Sequence, residues 1–216
     1  KSIGASAWHW ITDSEVHFRP RKYWPGHSTV TLRANLRGVN AGEGMWGTGN
    51  QTFQYQIARR MISKINTDTH RMTVWRDGQA VRNVPITAGE EPAYTTRSGI
   101  KVVLFKDPYR RMTGTSIGIP RDDPDYYDED VYWTIAVTAS GEFLHAAPWS
   151  VGSHGIANVS HGCVGMSTTN GKWLYDNTIR GDVVETKGTD RKMELRNGYG
   201  DWNLSWSKWL AGSALQ

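Results

Sequence analysis

The sequence predicts a mostly β protein in two modules, with a single helix inside the second. Three observations carry this expectation. Stretches of alternating apolar and polar residues recur along the chain, as in Thr29-Val30-Thr31-Leu32-Arg33-Ala34, where every second side chain turns to one face. A turn pair, Asp77-Gly78, joins two further such stretches and reads as a hairpin. Helical signals are confined, in the second module, to one segment that has a cap, an apolar face and a closing glycine.

Taken in order, residues 1–57 form the first module. Its aromatic and turn-forming residues surround the strand at Thr29–Ala34; Gly38-Val39-Asn40-Ala41-Gly42-Glu43-Gly44 reads as loop, and Phe53-Gln54-Tyr55-Gln56-Ile57 as a last strand. A complete sandwich takes about 100 residues, so this segment reads as the later part of one. The second module, residues 58–190, opens with Arg71-Met72-Thr73-Val74-Trp75-Arg76, the turn, and Ala80-Val81-Arg82-Asn83-Val84. Further strands are expected at Ile100-Lys101-Val102-Val103-Leu104-Phe105, Tyr132-Trp133-Thr134-Ile135-Ala136-Val137, Glu142-Phe143-Leu144-His145 and Asp182-Val183-Val184-Glu185. Between the last two, the helix opens at Ser167-Thr168-Thr169-Asn170 and carries Trp173, Leu174 and Ile179 before Gly181. Residues 191–216 form an extension whose Trp202, Trp206 and Trp209 suit a short amphipathic helix packed on the β module.

Composition narrows the classes of function. Charged residues at 21 % and hydrophobic residues at 38 % describe a folded chain rather than a disordered one. The net charge of +4 suits a polyanionic setting, yet no Lys/Arg run or nucleic-acid motif is present, so a nucleic-acid partner is not expected. No stretch approaches the roughly 18 apolar residues of a membrane helix. The chain begins at Lys1 without a visible leader, which reads as a processed segment that has lost an upstream signal or anchor. The acidic run at residues 122–130 lacks the spacing of a calcium loop and reads as solvated loop. One cysteine excludes an internal disulfide and any metal site built from several thiolates; no cofactor or metal is expected.

That cysteine stands in Ser160-His161-Gly162-Cys163, with His145 upstream across 14 intervening residues and His154 between them. A thiol with a free pKa near 8.5 needs a base or a cation to react at neutral pH, and the histidines supply candidates. Gly162 lets backbone approach an attacked carbonyl, and the amides of Gly162 and Cys163 are candidate oxyanion donors. Residue types alone leave a buried structural cysteine open as the alternative.

The run His145-Ala146-Ala147-Pro148-Trp149-Ser150-Val151-Gly152, then Asn158-Val159-Ser160-His161-Gly162-Cys163, resembles the active-site motif of the L,D-transpeptidase (YkuD-type) family. The likeness is to its actinobacterial members, with an immunoglobulin-like module in front and a Trp-rich extension behind. The resemblance implies a β-sandwich-like catalytic domain, with residues 1–57 the later part of the immunoglobulin-like module. It implies Cys163 as nucleophile, His145 as base, the Ala146 carbonyl fixing the imidazole, and Gly162 and Tyr127 stabilising the oxyanion. Ser160, His161, Met112, Trp149 and Asn158 would line the substrate site. The family usually carries Asn at the position of Gly165, so this chain departs there.

The function implied is 3→3 cross-linking of peptidoglycan stem tetrapeptides through a thioester, outside the cytoplasm, with carbapenems as covalent inhibitors. The sequence leaves two alternatives open. Water could replace the amine acceptor, giving an L,D-carboxypeptidase, or the chain could be a cell-wall binding module with a decayed site.

Overall fold

The computed structural model of the chain describes residues 3–215. It divides into two compact units: the chain up to Arg60 together with the end from Leu210, and Met61–Trp209. The segment 191–216 is therefore not a separate body; it belongs to the second unit as far as Trp209 and to the first beyond it.

The first unit is made of three two-stranded antiparallel pairs. Strands β1 (Ser6–Trp10) and β2 (Val16–Pro20) pair with Trp8 opposite Phe18, whose rings lie 4.9 Å apart. At β1's end, the Trp10 amide donates to the Gly212 carbonyl at 2.9 Å, which ties down the chain's last turn. β3 (Ser28–Ala34) shows the alternating burial its sequence predicts. The segment expected as loop instead holds a small hairpin, β4 (Asn40–Gly42) and β5 (Met45–Trp46). Its turn residues Glu43 and Gly44 both have positive φ, 49° and 77°, a geometry matched to strand twist. β6 (Gln51–Ile57) pairs with β3, yet Phe53 and Tyr55 remain 44 % and 51 % exposed, because no second sheet of this unit covers that face.

The second unit holds the core. A five-stranded sheet contains, in chain order, β7 (Met61–Asn66), β8 (Arg71–Arg76), β9 (Gln79–Pro85) and β10 (Gly99–Val102). The β8–β9 hairpin turns at Asp77-Gly78, both at positive φ, as their sequence demands. A four-stranded sheet contains β11 (Phe105–Thr113), β12 (Asp128–Ala136), β13 (Phe143–Ala146) and β14 (Val164–Met166), in that spatial order. β15 (Val183–Lys187) returns to the first sheet between β10 and β7. Apolar side chains from both sheets, among them Ile65, Met72, Val84, Ile135, Leu144, Met166 and Val184, form one buried cluster with Leu174. The result is the mostly β layered architecture that the alternating patterns predict.

The fold corrects three further expectations drawn from the sequence. Residues 100–105 are not one strand: Val103 bonds to Asp182 and Leu104 to Ala136, so the chain changes sheets and the run divides between β10 and β11. The acidic run is loop only as far as Tyr127. From Asp128 it is strand, because Asp128 pairs with Arg111 and Asp130 accepts from the Tyr109 hydroxyl across the β11–β12 ladder. The helix α1 (Thr168–Asn177) opens where expected, with Ser167 Oγ accepting from the Asn170 amide, but it ends before Ile179. Thr178 is extended, and the Asp182 carboxylate takes the Ile179 amide at 2.8 Å, which offers that donor a better partner than another helical turn. The tail's short helix α2 (Trp206–Ala211) buries Trp209.

Helix α1 helps to fix the position of β13, because Gly171 lies against that strand. A Cβ there would stand 3.0 Å from both the amide nitrogen and the Cβ of Ala146. Only glycine lets the helix backbone approach β13 so closely.

Candidate active site

β13 and β14 run parallel, with Leu144 opposite Val164, His145 opposite Gly165 and Ala146 opposite Met166. Side chains alternate along a strand, so residues two apart share a face. Cys163, two residues before Gly165, thus falls diagonally across from His145 at the mouth of the pair. The long crossover between these strands, residues 147–163, carries the rest of the motif.

His145 is 6 % exposed and its Nδ1 lies 2.8 Å from the Ala146 carbonyl oxygen. A carbonyl only accepts, so Nδ1 carries the proton and Nε2 is left as a base. Burial lowers the imidazole's pKa; the Ala146 carbonyl opposes this and His154 adds to it. The ring is therefore neutral at neutral pH, the form that can take a proton. Trp149 lies over it, with ring centroids 5.9 Å apart, while remaining 51 % exposed. Its place is at the surface beside the base and not in the core.

The Cys163 thiol donates to the Gly141 carbonyl at 3.7 Å rather than to His145. Burial pushes its pKa up to about 11; a hydrogen bond from the Phe143 main chain opposes this, Glu142 adds to it and Lys101 eases it. At rest the site holds a thiol and a neutral imidazole, not a preformed ion pair.

The loop before the thiol is pinned from several sides. Ser160 Oγ donates to the Cys163 carbonyl at 2.6 Å and accepts from the Gly162 amide at 3.2 Å. The Gly162 amide, expected as an oxyanion donor, is bonded to Ser160 here, while the Cys163 amide, the other candidate, has no acceptor among the described residues. Gly162 itself has φ of 117°, a region open to glycine. Its carbonyl accepts from Thr96 Oγ1 at 2.8 Å.

His161 is held between two aromatic rings, Tyr94 at 4.5 Å and Tyr127 at 4.6 Å. Tyr127 ends the acidic loop, and that loop is fastened to Tyr94 through Asp125 Oδ2 at 2.8 Å. Burial, then the charge of Cys163, pushes the Tyr127 hydroxyl up to about 12, with Ser116 opposing. It remains a hydrogen-bond donor at any ordinary pH. Met112 sits on β11, opposite Glu129 in the hairpin that carries this loop.

Asn158, expected at the substrate, is used elsewhere. Its Oδ1 accepts from the Ala88 amide at 3.1 Å and faces His70 Nδ1 at 3.0 Å, and its Nδ2 donates to the Thr67 carbonyl at 3.2 Å. With both ends of the amide engaged it anchors the crossover to the other sheet. Tyr94, Thr96, Lys101 and Glu142 were not found from the sequence, since nothing in their local pattern ties them to a thiol many residues away.

Gly165 has a packing cause. A Cβ there would meet the Cβ of Ala147 at 2.9 Å and Cγ2 of Thr87 at 3.0 Å, while its own amide and carbonyl exchange bonds of 2.9 Å with Thr87. Its φ lies outside the left-handed region. Close approach of the Ala147 and Thr87 side chains, not torsion, requires glycine. Among the described residues no group of three His, Cys, Asp or Glu side chains is placed to hold a metal ion.

A thiol beside a neutral imidazole, with amide and phenol donors at hand, has the parts needed to move an acyl group through sulfur. The comparisons with known proteins are consistent with that class. The chain matches the L,D-transpeptidase catalytic domain (YkuD) over residues 60–186 and a bacterial Ig domain over residues 3–40. It is 36 % identical to L,D-transpeptidase 2 of Mycobacterium tuberculosis over 209 residues, which cover 96 % of this chain and 51 % of that protein. An L,D-transpeptidase, LdtMt1, solved in complex with imipenem, superposes with a TM-score of 0.72 at 31 % identity, covering 85 % of this chain and 78 % of that one. L,D-transpeptidase 3 from Mycobacterium tuberculosis, in complex with a faropenem-derived adduct, gives 0.71 at 28 % identity, covering 86 % and 78 %. This chain belongs to the L,D-transpeptidase family, with an Ig-like module preceding its catalytic domain. It spans about half the length of L,D-transpeptidase 2.

Proposed function

We propose that the chain catalyses peptidoglycan cross-linking of the 3→3 type, outside the cytoplasm, through a thioester on Cys163. The observation that carries this reading is the His145 ring, buried, neutral and fixed by the Ala146 carbonyl in the tautomer that leaves Nε2 free, one strand from the only thiol of the chain. The solved relatives with imipenem and with a faropenem-derived adduct support a site that accepts β-lactams.

This reading implies the following steps. A tetrapeptide stem enters beside Trp149 and Met112 and brings the carbonyl of its third residue to the sulfur. His145 Nε2 takes the thiol proton as sulfur turns from Gly141 and attacks. The developing oxyanion receives hydrogen bonds from the Cys163 amide and the Tyr127 hydroxyl. The C–N bond to the terminal D-alanine breaks, and its nitrogen leaves with the proton held by the imidazolium. The side-chain amine of a second stem then attacks the thioester, gives its proton to His145, and expels sulfur, which recovers that proton.

Intact-mass measurement tests the reading. Incubation with a purified tetrapeptide stem should add the stem less D-alanine, and a second stem should release it as cross-linked product. A carbapenem should add one drug molecule at Cys163, and Cys163→Ala should add none while remaining folded. Cross-linking by folded Cys163→Ala would overturn the mechanism, and release of the acyl group only to water would replace the transferase with a carboxypeptidase.

A further inference from the structure

Behind the thiol lies a set of buried charges that the acyl-transfer steps do not use. Lys101, on β10, is 1 % exposed, and its Nζ stands 2.7 Å from Glu142 Oε2. Glu142 is 6 % exposed, and its other oxygen accepts from the Arg97 amide at 3.1 Å and the Arg97 guanidinium at 2.9 Å. Arg97 reaches on to Glu194 at 2.7 Å, a carboxylate 53 % exposed and so bathed by water. Arg97 thus has a carboxylate on either side of it, while the buried Lys101 has Glu142 alone. A buried ammonium is costly unless negative charge stands near to compensate it.

The group that becomes an anion beside this set is Cys163, when its thiol gives up its proton. Its sulfur touches the Gly141 carbonyl and the Phe143 main chain, the two residues flanking Glu142, so it lies over the backbone of the residue that holds Lys101. We propose that the buried Lys101–Glu142 pair is an electrostatic support for the nucleophile: the Lys101 ammonium compensates the thiolate of Cys163, and Glu142 holds that ammonium in position. The proposal deepens the transpeptidase reading and rests on Cys163 being the reacting group.

The surroundings leave this task open. Tyr127, Lys101 and Glu142 are the ionisable groups that interact with Cys163, with His145 on the neighbouring strand and His161 in the thiol's own loop. His145 is neutral at rest, and Tyr127 is protonated. His161 lies between its two aromatic neighbours. Sulfur carries negative charge as it attacks and again as it departs, and the Lys101–Glu142 pair is the buried charged set that adjoins the backbone it rests on. Burial pulls the Lys101 ammonium's pKa down from its ordinary value, and Glu142 first and then the charge of Cys163 oppose this; Lys101 in turn eases ionisation of Cys163, which Glu142 opposes.

The test is the pH profile of Cys163 alkylation by iodoacetamide, followed by intact mass on the full chain. Lys101→Met should move the inflection up by about one pH unit, slowing alkylation about tenfold at pH 8, and Glu142→Gln should move it down. Opposite displacements are the mark of charge; loosened packing would move both the same way. Profiles that coincide with the parent's, or that shift together, overturn the proposal. Where a variant does not fold, the parent protein carries the test by NMR. The Lys101 Cε resonance should follow the thiol's titration and lose that inflection after Cys163 is methylthiolated; an inflection that survives overturns the pairing. Alkylation reads the thiol and not turnover, so a parent chain that forms no stem thioester would count against the transpeptidase reading while leaving this measurement decisive for the pair.

Discussion

At the scale of single residues, the candidate site is a balance between burial and compensation. Burial lifts the Cys163 thiol to about 11, so the thiolate population should grow with pH well beyond the ordinary thiol range. Carbapenem acylation measured between pH 6 and 10 should be level if His145 takes the thiol proton during attack, because its imidazole is already neutral, whereas a rise of about tenfold per unit would show that free thiolate attacks without the base. The sign carries into stability. Between about 8.5 and 11 the folded state holds the thiol proton that the unfolded chain releases, so this group lowers stability as pH rises through that window. Tyr127→Phe keeps the stacked ring beside His161 but removes the hydroxyl, and should slow acylation by roughly 10- to 1000-fold with little change in Tm. An unchanged acylation rate in stopped-flow fluorescence would reduce Tyr127 to a packing residue. Cys163, His145 and the carbonyl of Ala146 were legible because they belong to one short motif. Lys101 and Glu142 were not, since their meaning arises from a contact across sheets.

At the scale of elements, the site depends on glycines that let backbones meet. Gly171 allows α1 to lie on Ala146, and Gly165 allows β14 to fit between Thr87 and Ala147. The Asn that relatives usually carry at the position of Gly165 has no room here, because its Cβ alone would stand 2.9 Å from the Cβ of Ala147. Gly165→Asn should destabilise the fold by about 1–3 kcal/mol through overpacking, and should reduce acylation by displacing β14 and the thiol with it. Thermal unfolding with a parallel acylation assay checks both; a variant with unchanged Tm and faster acylation would contradict the packing argument. Strand and turn chemistry at this scale was largely readable. The alternation of β3, the Asp77-Gly78 hairpin and the Ser167 cap each follow from neighbours in sequence. Element ends were less so: α1 stops early because Asp182, beyond the helix, captures the Ile179 amide.

At the scale of the whole molecule, the two units differ in how much apolar surface they bury. The buried cluster of apolar side chains lies entirely between Met61 and Val184, whereas β3 and β6 leave Phe53 and Tyr55 exposed. Native-state hydrogen exchange should accordingly show amides of β3 and β6 exchanging through low-energy opening, while β7, β8 and β13 exchange only with global unfolding. Uniform protection across both units would refute that division. From the sequence alone came the mostly β character, the restart of the pattern near residue 58, the hairpin and the single helix of the catalytic module, whereas the reading of Cys163 and His145 as nucleophile and base came from the resemblance to a family motif. These rest on local periodicity, turn chemistry and residues close in the chain, which need no knowledge of the third dimension. Only the tertiary structure decided that residues 100–105 change sheets, that Gly162's amide is taken by Ser160, that Asn158 anchors the crossover, and that a buried Lys101–Glu142 pair stands behind the thiol. Each of those is settled by which distant backbones and charges compete for the same space or the same proton, and such competition exists only once the chain has folded.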